Sequence, residues 1–260
     1  MIYSNGLYRL RKKIEQSNLL VISDIPKSLT VAINSVVNNR IKLKWYISRH
    51  PEYLYSLEPV KIDECAPSIV RTAAYAAETA NVGPMAVIPG ALAELAVRDM
   101  VLSGSQVNLV ENGGEISASS NRSINVGIYA GNSPLSGRIG FHLTEDDFPI
   151  GIATSSATVS HALNFGEADA AIVVADSASL ADAAAKATCN AVKGSDIEAS
   201  VQSGLEVAEN IPGIRAAFII RECYAGSTGK LPKLVKFNGE LDEFFEASLH
   251  DVLPYNARPL

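Results

Sequence analysis

Apolar and polar positions alternate in two rhythms along this chain. Residues 7–14 and 18–23 read as short strands, and Leu19-Leu20-Val21-Ile22 is apolar on both faces, the mark of a central strand. From Pro26 the apolar positions Leu29, Ile33, Val36, Val37, Ile41, Leu43, Trp45 and Ile47 recur mostly at three and four, with Asn38, Arg40, Lys42 and Lys44 between them. This predicts an amphipathic helix ending near His50-Pro51, since proline disfavours helical geometry in the residue before it. His50 is then the last helical position, where histidine commonly partners the helix dipole. A second helix is expected from Pro67 to Ala80, with Ala73, Ala76, Ala77 and Ala80 along an inner face that lets a neighbouring backbone come close. After the break Asn81-Val82-Gly83-Pro84-Met85, a third runs from Pro89 to Leu102.

Then the period changes to two. An apolar run at 106–110 drives into Glu111-Asn112-Gly113-Gly114-Glu115, and a second strand-prone run comes at once. Adjacent glycines allow positive φ, which a tight hairpin needs, and they also let another group approach a backbone without Cβ. Both readings are open on this segment. Strands are expected at 124–128, 138–143 and 149–153, divided by turn-rich Gly131-Asn132-Ser133-Pro134 and Thr144-Glu145-Asp146-Asp147, and a meander is the natural inference. A polar loop at 154–161 leads to a buried strand at 168–175. A helix at 177–191 comes next, capped by Asp176 or Ser177, then a helix at 195–210 and a strand at 214–220. From Gly226 the chain is polar and proline-bearing, with one short amphipathic piece at 241–249. No repeat or long linker divides residues 1–260, which are read as a single domain.

Composition narrows the classes. The chain has 260 residues, 47% of them hydrophobic, enough for a full core. A formal charge of −6 with scattered basic residues excludes a nucleic-acid-binding stripe, and the small cluster Arg9-Leu10-Arg11-Lys12-Lys13 reads as the solvated face of an edge strand. Cys65, Cys189 and Cys223 show no metal or disulfide spacing. That fits a reducing compartment, and no run approaches the ~20 apolar residues that span a bilayer, so the expectation is a cytoplasmic protein with no membrane partner. The expected partner is a small-molecule ligand, and a homo-oligomer is compatible with this composition.

Four stretches carry small polar side chains where a core would want bulk: residues 82–86, the glycine bend, the loop 154–161 and Ala181-Asp182-Ala183-Ala184-Ala185-Lys186. In the loop, hydroxyls and free N–H groups can hold an anion, although consecutive serines also cap helices. Glu111 and Asn112 could read a base or ribose edge, while Glu115 reads as the solvent side of a strand. Gly226-Ser227-Thr228-Gly229-Lys230 imitates a phosphate loop, but its spacing is short and Leu231 stands where Ser or Thr is required.

The segments Val-Gly-Pro-Met (82–85), Glu-Asn-Gly-Gly-Glu-Ile (111–116), Ala-Thr-Ser-Ser (153–156) and Gly-Glu-Ala-Asp-Ala (166–170), taken in order, resemble the bacterial and archaeal family related to the ApbE-type flavin transferases. The likeness runs from the first strands to about Arg221. It implies an α+β ApbE-like fold, with a mostly antiparallel sheet and packed helices. By this resemblance Gly113 and Gly114 match a turn at the cofactor, Ala153-Thr154-Ser155 a later loop, and Ala181-Asp182-Ala183 a helix start that holds magnesium in the transferases proper, where FAD is cut so that FMN can be attached to a protein hydroxyl. Two departures stand out. The metal motif's threonine falls on Lys186, which supplies a charge instead of an oxygen ligand, so no metal ligand is assigned and magnesium is doubtful. Lys186 either replaces the metal, pairing with Asp182 one turn away, or forms with it an ordinary exposed ion pair. The interval after Thr154 is also short, which leaves His161 either as a local replacement that handles a proton or phosphate, or as a structurally satisfied histidine.

The implied site comprises Glu111, Asn112, Gly113, Gly114, Thr154, Ser155 and Ser156 as ligand-binding residues, with Asp182, His161 and Lys186 as catalytic candidates. FAD or another nucleotide is the expected ligand. Two functions are compatible with it: a flavin-linked or nucleotide transferase, or a binding protein or pathway subunit that kept the fold and lost the transfer step. Sulfur handling by Cys189 or Cys223 is a third, if a thiolate near Lys186 or a helix start is activated.

Overall fold

The computed structural model describes residues 1–159, 164–237 and 257–259. The strands in chain order are β1 (Ile2–Ser4), β2 (Leu7–Ile14), β3 (Ser17–Ser23), β4 (Val107–Asn112), β5 (Glu115–Ser120), β6 (Ile124–Gly127), β7 (Ile139–Leu143), β8 (Ile150–Ser155), β9 (Ala170–Ala175), β10 (Ile214–Arg221), β11 (Tyr224–Gly229), β12 (Lys233–Phe237) and β13 (Ala257–Pro259). The helices are α1 (Pro26–Ile47), the single turn α2 (Glu52–Tyr55), α3 (Ser68–Ala80), α4 (Ile88–Leu102), α5 (Ala178–Ala191) and α6 (Ile197–Glu209), and a 3-10 turn at Pro84–Val87 leads into α4. Nine strands form one antiparallel sheet in the order β1-β2-β3-β4-β5-β8-β9-β10-β11, and four form a second, β13-β12-β7-β6. The chain thus has the α+β, mostly antiparallel architecture expected of it.

The large sheet is buried on both faces, because its strands alternate between two apolar layers. Leu19, Val21, Val110, Ala171, Val173 and Ile219 pack on the helices. Leu20, Ile22, Leu109, Ile172, Val174 and Ile220 pack instead against Ile124, Val126, Phe141 and Leu143 of the small sheet. The fully apolar run at 19–22 does mark an interior strand, β3, paired with β2 and β4.

The strands after the glycine bend do not form a meander. The hairpin β6–β7 leaves for the second sheet, and β8 returns to pair with β5. Period-two patterning shows that a segment is a strand with one buried face, but says nothing about which sheet supplies its neighbour. Two more strands, β11 and β12, occupy the stretch expected to be irregular; β11 is a sheet edge whose side chains alternate half-buried and exposed. The phosphate-loop look-alike at 226–230 mostly belongs to that edge strand. The amphipathic piece at 241–249 lies outside the described residues.

Helix α1 ends at Ile47, short of His50, whose ring stacks on Tyr46 at 4.2 Å and whose Nε2 lies 3.0 Å from Asp63. The basic cluster is only partly a solvated edge: β1 covers the start of β2, so Arg9 is buried and bonds Ser4, whereas Arg11, Lys12 and Lys13 are exposed. Ser177 caps α5 through its side chain and Asp196 caps α6. Among the described residues no helix is long and apolar enough to cross a membrane.

One contact positions the site. The helices α4 and α5 cap each other: Gly90 N–H in the first turn of α4 donates to Asp182 Oδ2 at 2.9 Å, and Glu94 accepts from Ser179 N (3.0 Å) and Oγ (2.6 Å) in the first turn of α5. Unpaired N–H groups at a helix start favour a carboxylate, so each helix supplies the other's missing acceptor. Only glycine allows this approach, because a Cβ on Gly90 would stand 2.4 Å from Ala178 O and 2.7 Å from Asp182 Cβ.

Candidate functional site

A hollow of about 340 Å³ opens between the first turns of α4 and α5, the end of β8 and the hairpin β4–β5. Its polar lining includes Glu115, Ser155, Asp182, Lys186 and Asn190; its apolar wall includes Leu54, Tyr55, Leu57, Met85 and Phe165. Asn81, Val82 and Gly83 complete the rim, with Gly83 pressed so close to Ser56 that a Cβ would lie 2.1 Å from its carbonyl oxygen. The small-residue stretch at 82–86 therefore holds the 54–57 segment against the mouth.

The residues singled out from sequence divide. Asp182 and Lys186 lie one turn apart on α5, line the hollow, and are buried at 6% and 9% exposure, so an ordinary exposed ion pair is not what they form. Ser155 also faces in, because alternation along β8 turns it to the helix side with Ala153. Thr154 reaches the hollow, but the same alternation sends its side chain to the opposite face with Ile152, leaving its main chain at the rim. Gly113 and Gly114, at φ of 78° and 116°, form a two-residue hairpin loop, the hairpin reading of the bend. A Cβ on Gly114 would stand 3.9 Å from Thr154 O, so the bend lies beside the end of β8, but neither Gly113 nor Gly114 is among the residues that line the hollow.

Three expectations need correction. Glu111 pairs with Ile116 and Leu20 on the small-sheet face, away from the hollow, and cannot read a ligand edge beside Asn112. Asn112 points to the helix side but is spent there, its Nδ2 donating to Pro89 O at 3.1 Å. Ser156 organises the turn after β8, accepting from Thr158 N (3.2 Å) and Val159 N (3.0 Å), and is not among the lining residues. His161 lies outside the described residues.

Glu115 departs from expectation in the other direction. Opposite Asn112 in the hairpin, it turns to the helix side and enters the hollow. The signal is in the sequence: just past a two-residue turn, the side chain must share a face with its cross-strand partner. What cannot be read locally is that α5 brings Asp182 to the same place.

The electrostatics are those of a shielded acid pair beside one cation. Burial pushes the Asp182 carboxyl up to about 7, against the pull of the Gly90 N–H and of Lys186. Glu115 is raised well above the usual carboxylate range, first by burial and then by the charge of Asp182, with Lys186 pulling it down. Two such carboxyls titrate as a unit, the charge of one opposing ionisation of the other. Burial also pushes the Cys189 thiol up. An activated thiolate is the opposite state, so the sulfur reading loses Cys189; Cys223 is exposed in the turn after β10 and away from the hollow.

The donor set does not suit magnesium. Asp182 is bonded to the Gly90 N–H, the Lys186 ammonium in the same hollow has no lone pair to offer, and no three His, Cys, Asp or Glu side chains among the described residues are grouped to hold a metal.

Comparison with known proteins agrees with this architecture. Residues 2–212 match the family described as AbpE bacteria. The chain is 42% identical over 232 residues to a UPF0280 protein of Methanococcus vannielii, covering 88% of this chain and 94% of that one. It is 40% identical over 231 residues to a UPF0280 protein of Methanocaldococcus jannaschii, with 88% and 93% covered. Among solved structures, the apo flavinyl transferase ApbE of Pseudomonas stutzeri superposes with a TM-score of 0.55 at 17% identity, covering 85% of this chain and 94% of that one. The apbe protein of Thermotoga maritima superposes at 0.57 and 12%, with 82% and 94% covered. The chain therefore belongs to the AbpE bacteria family, together with the UPF0280 proteins, and its fold is that of the ApbE flavin transferases.

Proposed function

We propose that the hollow binds a phosphate-bearing small molecule of the flavin or nucleotide class. Lys186 and the Ser155 hydroxyl meet its phosphate, and the wall of Leu54, Tyr55, Leu57, Met85 and Phe165 receives its ring. One observation carries this reading: a buried lysine, a hydroxyl and two carboxyls that their surroundings hold above the usual carboxylate range converge on one hollow beneath an apolar rim. With one carboxyl protonated, the second carries a charge that Lys186 balances, and a neutral carboxyl offers a hydrogen-bond donor to phosphate or ring oxygen. The volume sits at the low end of the roughly 300–1,000 Å³ usual for ligand sites. A mononucleotide-sized ligand suits it better than a whole dinucleotide. The transferases that share the fold support a flavin as the first candidate, and three free cysteines support a reducing, cytoplasmic setting.

Fluorescence and calorimetric titration with FMN, FAD and AMP, with mass spectrometry of whatever copurifies, tests the reading. At least one of the three is expected to bind at micromolar concentration, and Lys186→Ala to weaken it about tenfold. Absence of all binding and of any copurifying phosphorylated compound would sink it.

Group transfer is the second reading, favoured by Asp182, because an acid near 7 is suited to give and take a proton at neutral pH. Incubation with FAD, with and without magnesium, distinguishes the two. AMP released together with FMN bound covalently to a protein or peptide hydroxyl, both abolished by Asp182→Asn, establishes transfer; free FMN and AMP mark hydrolysis of FAD instead, and tight binding with neither leaves a binding protein.

A further inference from the structure

Two carboxyls that face one hollow are held together by a cation, by a shared proton, or by both. Here the cation is part of the chain. Asp182 and Lys186 are four residues apart on α5, which puts them on one side of the helix, and both are almost completely buried. Glu115 reaches the same hollow from β5 and feels the charges of both. The Gly90 N–H occupies one oxygen of Asp182 and fixes where that carboxyl stands. A divalent ion entering here would find Glu115, the remaining oxygen of Asp182 and the Thr154 main chain at the rim, while Ser155 Oγ already accepts from Asn164 Nδ2 and Asn190 Oδ1 from the Phe165 N–H; that is far from the near-octahedral oxygen shell magnesium requires, and the ion would be repelled by the ammonium.

We propose that Lys186 is the resident cation of this site: it takes the charge-balancing place of a divalent metal between Glu115 and Asp182, so that an anionic ligand binds without metal and divalent ions are kept out. A lysine suits this role because its compact charge rides on a flexible stem and can track a phosphate as it enters. The ligand half of the proposal rests on the phosphate reading above; the exclusion of metal does not.

The test uses the full chain. Manganese alone is titrated by electron paramagnetic resonance into the wild type, Asp182→Asn, Lys186→Thr, and Lys186→Thr combined with Asp182→Asn, with circular dichroism confirming that each is folded. FMN is titrated in parallel into the wild type in EDTA and in millimolar magnesium. The wild type is expected to show no manganese site tighter than millimolar. Lys186→Thr is expected to gain about tenfold in manganese affinity and to lose it again with Asp182→Asn. FMN affinity of the wild type should change less than about twofold between EDTA and magnesium. A micromolar manganese site in the wild type that Asp182→Asn removes overturns the proposal. So does FMN binding that collapses in EDTA, and so does a folded Lys186→Thr that gains no manganese. If FMN does not bind at all, the phosphate reading fails, while the manganese titrations still decide whether Lys186 excludes metal.

Discussion

The two faces of the nine-stranded sheet are covered in different ways. Against the small sheet, large side chains interdigitate: Leu20, Ile22, Leu109, Ile172 and Phe218 meet Ile124, Val126, Phe141 and Leu143. Against the helices much of the contact is small, with Ala153, Ala171, Ala175 and Ala217 below Ala181, Ala184 and Ala185 of α5. Bulk fills space with apolar atoms and leaves main chains far apart. Small residues let main chains approach, and a main chain that comes close brings N–H and C=O groups able to satisfy a buried charge. That is how Gly90 comes to hold Asp182, and why the hollow with Glu115 and Lys186 lies on this face and not on the other.

The sharpest way to break the contrast is to damage the packed face alone. Phe141 is completely buried between the sheets, so Phe141→Ala is expected to cost about 3–5 kcal/mol in denaturant unfolding. The FMN affinity of the folded molecules should stay unchanged; a matching loss of affinity would mean the two faces are not independent. Next comes the helix face. Gly90→Ala would drive a methyl group into the Ala178 carbonyl and the Asp182 Cβ, at an expected cost of about 1–3 kcal/mol in the same measurement. Here affinity should fall together with stability, because the clash displaces the site itself.

A smaller effect lies in the pH dependence. Asp182 rises from 3.8 to about 7 on folding, so between those values the unfolded chain has released a proton that the folded chain keeps. Its contribution to stability is therefore complete at low pH, declines as pH rises through this window and levels off above about 7; Glu115, also raised, acts in the same direction. Thermal melts of Asp182→Asn across the window should show a shallower decline than the wild type. Identical slopes would remove Asp182 from the account. The smallest change in stability is expected at the mouth, where Tyr55 is 77% exposed: Tyr55→Ala should alter unfolding by less than about 0.5 kcal/mol yet weaken FMN binding severalfold. Unaltered affinity would take the aromatic rim out of the site.

Much of the fold was legible because its signals are local. Three- and four-residue spacing located α1 and the alanine face of α3, the cap at Asp176 or Ser177 opened α5, and the apolar run at 19–22 identified β3 as interior, since those patterns depend only on neighbours in the chain. The detour of β6–β7 into a second sheet was not legible, nor was β11, whose weak alternation of Ala, Gly, Ser and Thr suits an edge as well as a loop.

The site divides along the same line. By itself the sequence determined that Asp182 and Lys186 share one side of a helix, and that paired glycines bend the chain before Glu115, because helical pitch and glycine's freedom at positive φ act over a few residues. Only the tertiary structure decided that Glu115 turns inward beside them while Glu111 turns away, that Asn112 is spent on Pro89, and that Asp182 is buried against Gly90. The two-residue turn sets that Glu115 shares a face with Asn112; which elements cover that face, and how closely α4 crosses α5, are settled by contacts between segments far apart in the chain.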